Sequence, residues 1–258
     1  MQYLKKILIT LLHAEARAVL NKYNPRIVVV TGSVGKTSTK DAIHAVLSAR
    51  FKTRKSLKSY NSDIGVPLAI LDCPNGWRNI FRWKLNLLKG LFLIIFPHHY
   101  PEWLVLEVGA DKPGDLEPIM KWLHPDVVVV TLFPEVPVHV EFYESPEALN
   151  AEESIPVFVI TEGGTVVLNA DDDKVMALKN EVKASVLTYG TLPKASVRSI
   201  GDDIVYGTED GFKIPRGITF TVTSGEKSES FGMHGVMVFS MSIRFLPQSR
   251  SEQAKIFP

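Results

Sequence analysis

Apolar residues fall along this chain in two textures. Short continuous runs rich in valine, isoleucine and leucine alternate with stretches where apolar positions recur every three or four residues. Arg26–Thr31 (RIVVVT), Trp103–Val108 (WLVLEV) and Asp126–Leu132 (DVVVVTL) are of the first kind, the texture of strands buried on both faces of a parallel sheet. Thr165–Leu168 and Ala184–Tyr189 read as two more strands. Helical stretches separate them: Lys36 to about Arg50, Asp115–Leu123 opened by Pro113-Gly114, Ser145 to about Ser154, and Asp171–Lys179. Ser145 stands as N-cap, with Pro146 at the first helical position, where its missing N–H costs nothing. This alternation predicts an α/β fold, a mostly parallel P-loop-type sheet with helices on both faces. From about Ser196 the texture changes to short alternating strands with turn signals at Asp210-Gly211 and Ser224-Gly225, which predicts a small antiparallel meander near the C-terminus.

Two segments are more apolar than this scheme needs. The N-terminal MQYLKKILITLLHAEARAVL carries Leu4, Ile7, Leu8, Leu11 and Leu12 at helical spacing. Its lysines and short apolar run are followed by charged residues, with no small-residue cleavage site. An amphipathic helix over residues 1–25, packed on the domain, is the expectation, with a membrane-surface helix as the alternative. Leu85 to Phe96 (LNLLKGLFLIIF) is too short to span a bilayer and is broken by Lys89 and Gly90. It reads as a buried or partner-facing helix, and peripheral membrane contact stays open.

Composition narrows the function classes. The chain has 258 residues, 45% hydrophobic and 22% charged, with a formal net charge of +1. That is ordinary for a folded domain, and it supplies no bulk attraction to nucleic acid or anionic lipid. Cys73, the single cysteine, allows neither an internal disulfide nor a zinc cluster, so a cytoplasmic setting is expected.

The strongest chemical signal follows the first strand. Thr31-Gly32-Ser33-Val34-Gly35-Lys36-Thr37-Ser38 links a buried strand to a helix, the context a phosphate-binding loop requires. Its glycines allow the backbone N–H groups to turn toward an anion. The helix N-terminus adds partial positive charge. Lys36 would reach the β- and γ-phosphates of a nucleotide and Thr37 would give its hydroxyl to Mg²⁺. Val30 stands where the general Walker pattern has its first glycine, so the loop is the shorter G-x-x-G-K-T. Glu107, an acid closing a buried strand, needs a cation or a metal to be tolerated there. It is the expected metal-orienting acid, with Asp111 in reserve.

Four segments together resemble the Mur ligase family: TGSVGKTSTKD (Thr31–Asp41), SYNSDIGVPLAIL (Ser59–Leu71), LEVGADKPGD (Leu106–Asp115) and LNADDD (Leu168–Asp173). The resemblance covers roughly residues 26–235, the family's central ATP-binding domain. It implies an ATP-dependent ligase of peptidoglycan precursor synthesis. A substrate carboxylate is phosphorylated by ATP, and an amino acid or dipeptide then displaces phosphate to form an amide. The acceptor implied is a UDP-muramoyl peptide. Folylpolyglutamate synthase-like ligation and a non-catalytic nucleotide-binding module are the alternatives. Carried over by position, Lys36 binds phosphate, Thr37 and Glu107 hold the first Mg²⁺, Asn61 lies near the phosphates, and His139 helps hold a second Mg²⁺. Asn169 reads the adenine, with Asp171 beside it.

The chain departs from the family pattern in three places. Where the family has a carbamylated lysine, the expected equivalent is Glu153, either a direct ligand of the second metal or the mark of a weakened site. Pro156 is expected to disturb the helix that follows. Only about 25 residues precede the first strand, where the family carries a UDP-sugar-binding domain. Gly232-Met233-His234-Gly235 resembles the family's G-x-H, but residues 236–258 read as a divergent tail. The family's C-terminal domain is then expected to come from a separate chain, or this chain to be a fragment.

Overall fold

The computed structural model describes residues 2–57, 60–135, 140–209 and 212–234. At its centre β1 (Arg26–Thr31) pairs in parallel with β3 (Trp103–Glu107) on one side and β4 (Val127–Val130) on the other. Outside them lie β2 (Thr53–Lys55), β5 (Thr165–Asn169) and β6 (Ser185–Gly190), all parallel. β7 (Val197–Glu209), β8 (Phe212–Ser224) and β9 (Lys227–His234) complete a nine-stranded sheet of order β2-β3-β1-β4-β5-β6-β7-β8-β9. β7 joins β6 in parallel, and the last two strands run antiparallel. The meander is thus an extension of the main sheet, and its strands are longer than the sequence suggests. The turn expected at Asp210-Gly211 and the tail from Gly235 onward lie outside the described residues.

The side-chain alternation of β1 explains the layers. Ile27 and Val29 enter the larger core, whereas Val28 and Val30 enter a smaller one, because successive strand side chains face opposite sides. The larger core is built by α1 (Gln2–Tyr23), α3 (Gly65–Leu71), α5 (Glu117–Met120), α6 (Pro146–Phe158) and α7 (Asp173–Ala177), with Leu93 of α4 (Ile80–Ile95). On the opposite face α2 (Lys36–Leu47) packs through Ile43 and Leu47. Helices therefore cover both faces, as the pattern predicts.

The N-terminal segment is a packed helix. Leu12, Ala16, Val19 and Leu20 are its buried residues, while Ile7 and Leu11 stay exposed. One expectation is corrected. α6 runs through Pro156 to Phe158 rather than stopping near Ser154. The proline sits in the last turn, where it removes a single i→i−4 bond, and its ring is buried.

Candidate functional site

Consecutive connections diverge at β1: the chain leaves it for β2, returns to β3 at its side, and then crosses to β4 on the other side. Such a switch point opens a crevice at the carboxyl ends of the strands, and the glycine-rich loop lies there. Gly32 has φ +109° and Gly35, the N-cap of α2, has φ +89°. These left-handed values favour glycine. A Cβ on Gly32 would also stand 2.4 Å from Thr131 Oγ1. With α2 starting at Lys36, the unpaired N–H groups of its first turn face the crevice. Val34 is exposed at the loop's tip and Ser38 is half-buried in that turn.

The acid at the end of β3 is held from α2. Thr37 Oγ1 donates to both carboxylate oxygens of Glu107 at 3.0 Å, and Lys40 Nζ lies 3.2 Å from Oε2. Glu107 and Lys40 are both buried, so each supplies the counter-charge the other's burial demands. The register pairing Val30 with Glu107 brings the acid beside the loop. Lys40 escapes the sequence reading. The spacing of Lys36, Thr37 and Lys40 along one helix is the signal that finds it, because positions three and four apart share a face.

Glu153 reaches the same crevice from α6. Its carboxylate accepts 2.6 Å from Ser33 Oγ and 3.3 Å from Lys36 Nζ, and its carbonyl accepts 2.6 Å from Thr31 Oγ1. Lys36 Nζ also donates to the carbonyls of Gly32 and Ser33. Ser33, Lys36, Asn61, Gly109, Asp111 and Glu153 line a cleft of about 100 Å³. Asn61 is fixed there by its carbonyl, which accepts from the Gly109 N–H at 3.2 Å. A larger hollow of about 370 Å³, lined by Tyr23, Pro25, His98 and Tyr100 among others, lies at the opposite edge, where β1 and β3 begin.

The remaining sequence candidates lie farther along the sheet. Asn169 ends β5, donating from Nδ2 to the Thr131 carbonyl at 2.8 Å and accepting from the Asp171 N–H at 3.0 Å. Asp171 caps the next turn, accepting from the N–H groups of Thr191 and Leu192. Both thus brace the loops that border the crevice on the β5 side. His139 lies outside the described residues. Among the described residues no cluster of three His, Cys, Asp or Glu forms a ready-made metal cage. Burial pushes the Cys73 thiol up to about 11, so it is no nucleophile at neutral pH.

The sequence profile of the Mur ligase middle domain matches residues 30–81 and 90–237. The chain belongs to the Mur ligase family. A UDP-N-acetylmuramoyl-tripeptide–D-alanyl-D-alanine ligase of Bacillus subtilis (strain 168) is 27% identical over 232 residues, covering 89% of this chain and 42% of the relative. A MurF ligase from Thermotoga maritima in complex with ADP superposes with a TM-score of 0.66 at 21% identity, over 92% of this chain and 47% of that one. An FPGS–AMPPCP–folate complex gives 0.57 at 18% identity, over 92% and 58%. These structures share the Mur ligase fold with this chain. The chain spans less than half the length of the Bacillus relative.

Proposed function

We propose that this chain is the ATP-binding core of a Mur-type amide ligase acting in peptidoglycan precursor synthesis in the cytoplasm. The observation that carries the proposal is the meeting of Lys36 and Glu153 in one cleft at the sheet's switch point, with Thr37, the next residue of the loop, holding Glu107 at the end of β3. A carboxylate is a poor electrophile at neutral pH. In the proposed reaction the acceptor's carboxylate attacks the γ-phosphate of ATP, giving an acyl phosphate and ADP. An amine then displaces phosphate and forms the amide. Such chemistry depends on positioning and on neutralising phosphate charge. Gly32 to Ser38 would cradle the phosphates through backbone N–H groups, Lys36 would neutralise the outer oxygens, and Asn61 would border them. Asn169 and Asp171 would shape the adenine end.

The donor set fits Mg²⁺. A hydroxyl and a carboxylate already meet at 3.0 Å in Thr37 and Glu107, the hard oxygen ligands that this ion takes. Mg²⁺ would supply charge neutralisation at the γ-phosphate. Glu153 and a triphosphate are both anions, so sharing the cleft favours a cation between them. This supports Glu153 as a direct ligand in place of the carbamylated lysine, with His139 as its partner by family equivalence. The Bacillus relative's name points to a UDP-muramoyl tripeptide as acceptor and D-alanyl-D-alanine as amine, and the Thermotoga structure's ADP points to the nucleotide. A C-terminal ligase domain would complete the site.

Calorimetry with Mg-ATP, followed by phosphate release with both substrates and an added C-terminal ligase domain, tests the proposal. Binding that Lys36→Ala weakens by about 100-fold, the worth of its charge-assisted hydrogen bonds, is expected. Equal binding by wild type and Lys36→Ala refutes the nucleotide site. Binding without phosphate release in any mixture reduces the protein to a nucleotide-binding module.

A further inference from the structure

The outer face of α4 lies apart from the residues of the site and carries many of the exposed large apolar side chains among the described residues. The helix docks through a narrow stripe, Asn86, Gly90 and Leu93. Asn86 donates to the Pro74 carbonyl at 2.8 Å, and Lys22 of α1 donates to the terminal carbonyls of Leu93, Ile94 and Phe96 at 2.7–2.9 Å. A Cβ on Gly90 would strike Glu15 of α1. These contacts hold α4 in one orientation, and that orientation points Phe81, Leu85, Leu88, Phe92 and Ile95 outward, with Phe81 78% and Leu85 64% exposed. Trp77, just before the helix, is 81% exposed. A contiguous apolar face of this kind marks an interaction surface.

Charge identifies the partner. None of the chain's 28 acidic residues and four of its 29 basic ones fall between Cys73 and Pro101. Lys89 is engaged by Asp72, but Arg78, Arg82 and Lys84 are exposed beside the apolar face. A second copy laid face to face would set these cations against their own images, with no carboxylate in the segment to meet them. An anionic surface matches both the charge and the apolarity. The family profile leaves residues 82–89 of this helix unmatched.

We propose that α4 docks the protein on an anionic lipid bilayer, lying in the interface with its apolar face among the acyl chains and Arg78, Arg82 and Lys84 among the headgroups. A 16-residue helix is about 24 Å long, short of the ~30 Å hydrocarbon core, and no described helix is long and apolar enough to cross a membrane. The end of α4 is held by Tyr23, whose hydroxyl donates to the Leu93 and Phe96 carbonyls just before β1 begins.

Flotation of the full 258-residue chain with vesicles of phosphatidylcholine plus phosphatidylglycerol, against pure phosphatidylcholine, tests this. Each basic side chain near an anionic surface is worth about fivefold, so the three together predict a preference on the order of 100-fold, collapsing in high salt. The double variant Leu88→Ser/Phe92→Ser removes two exposed side chains, so its melting temperature should hold while vesicle binding drops at least about tenfold. Failure of the wild type to float, or equal flotation of wild type and variant, overturns the proposal. So does a sedimentation dimer that the double variant dissolves, which would assign the face to self-association.

Discussion

Lys40→Met removes the cation facing Glu107 while keeping the aliphatic stem. Both partners are buried, and they stand 3.2 Å apart. At an effective dielectric of about 20 that separation corresponds to roughly 5 kcal/mol of attraction, most of it offset by desolvation of the two charges in the folded state. The variant keeps the desolvation of Glu107 and loses the attraction. A buried pair broken on one side costs about 3–5 kcal/mol, and the surviving Thr37 hydroxyl puts the expected loss at the lower end, about 3 kcal/mol. With a urea m-value of about 3 kcal/mol/M, the midpoint should fall by roughly 1 M, read from tryptophan fluorescence. Two further samples isolate the cause. Lys40→Met/Glu107→Gln should recover most of the loss, since removing both charges removes the uncompensated one. Mg-ATP should shrink the single variant's deficit relative to ATP with EDTA, because a metal on Glu107 replaces the missing ammonium. A loss below about 1 kcal/mol would refute the buried-pair account. An identical deficit in both nucleotide conditions would refute Glu107 as a metal ligand.

Other expectations follow from the same geometry. Glu153→Gln removes the anion beside Lys36, so metal-free ATP should bind several-fold tighter while the gain on adding Mg²⁺ shrinks; calorimetry with and without EDTA reads both. Gly32→Ala forces a Cβ against Thr131 and strains a φ of +109°, and should cost about 1–3 kcal/mol in denaturation along with nucleotide binding. Glu15 gives a pH signature. Burial raises its carboxyl from 4.5 to about 7, so between those values the folded state holds a proton that the unfolded state has released. Stability therefore falls as pH rises through this window. Discounted for partial exposure, Glu15→Gln should gain on the order of 1–2 kcal/mol at pH 8 and nothing near pH 4, measured by thermal melts across pH.

The parallel strands and the phosphate loop were legible because their signals are local. A run such as Val28-Val29-Val30 followed by Gly-x-x-Gly-Lys-Thr has few other uses, and Glu107 at a strand end could be suspected from the cost of burying it. What escaped depends on pairing across the sheet. β2 is three polar or half-buried residues, Thr53–Lys55, with no periodicity to read, and exists because β3 offers it an edge. Lys40 reads as one more surface lysine until β1 and β3 are aligned. Leu85–Phe96 reads as buried or partner-facing, with membrane contact as a further option, and the structure buries only Asn86, Gly90 and Leu93 of it: apolarity alone does not say which side a neighbour covers. The family resemblance points Asn169 at the adenine, and what the sequence does not show is its brace to the Thr131 carbonyl, a bond between residues 38 positions apart that no local pattern encodes.

The unequal cores on the two faces of the sheet carry a dynamic consequence. α2, which presents Lys36, Thr37 and Lys40, rests on the smaller cluster formed with Val28, Val30, Val105 and Val129, whereas the helices of the opposite face share the larger one. Local opening free energy tracks buried apolar contact. The amides of α2 should therefore exchange with solvent deuterium sooner than those of α3, whose residues are buried from Gly65 to Leu71. Ligand linkage would then act most strongly on the least protected unit. A nucleotide bound at its N-terminus would slow exchange across α2 and leave the larger core's protection unchanged.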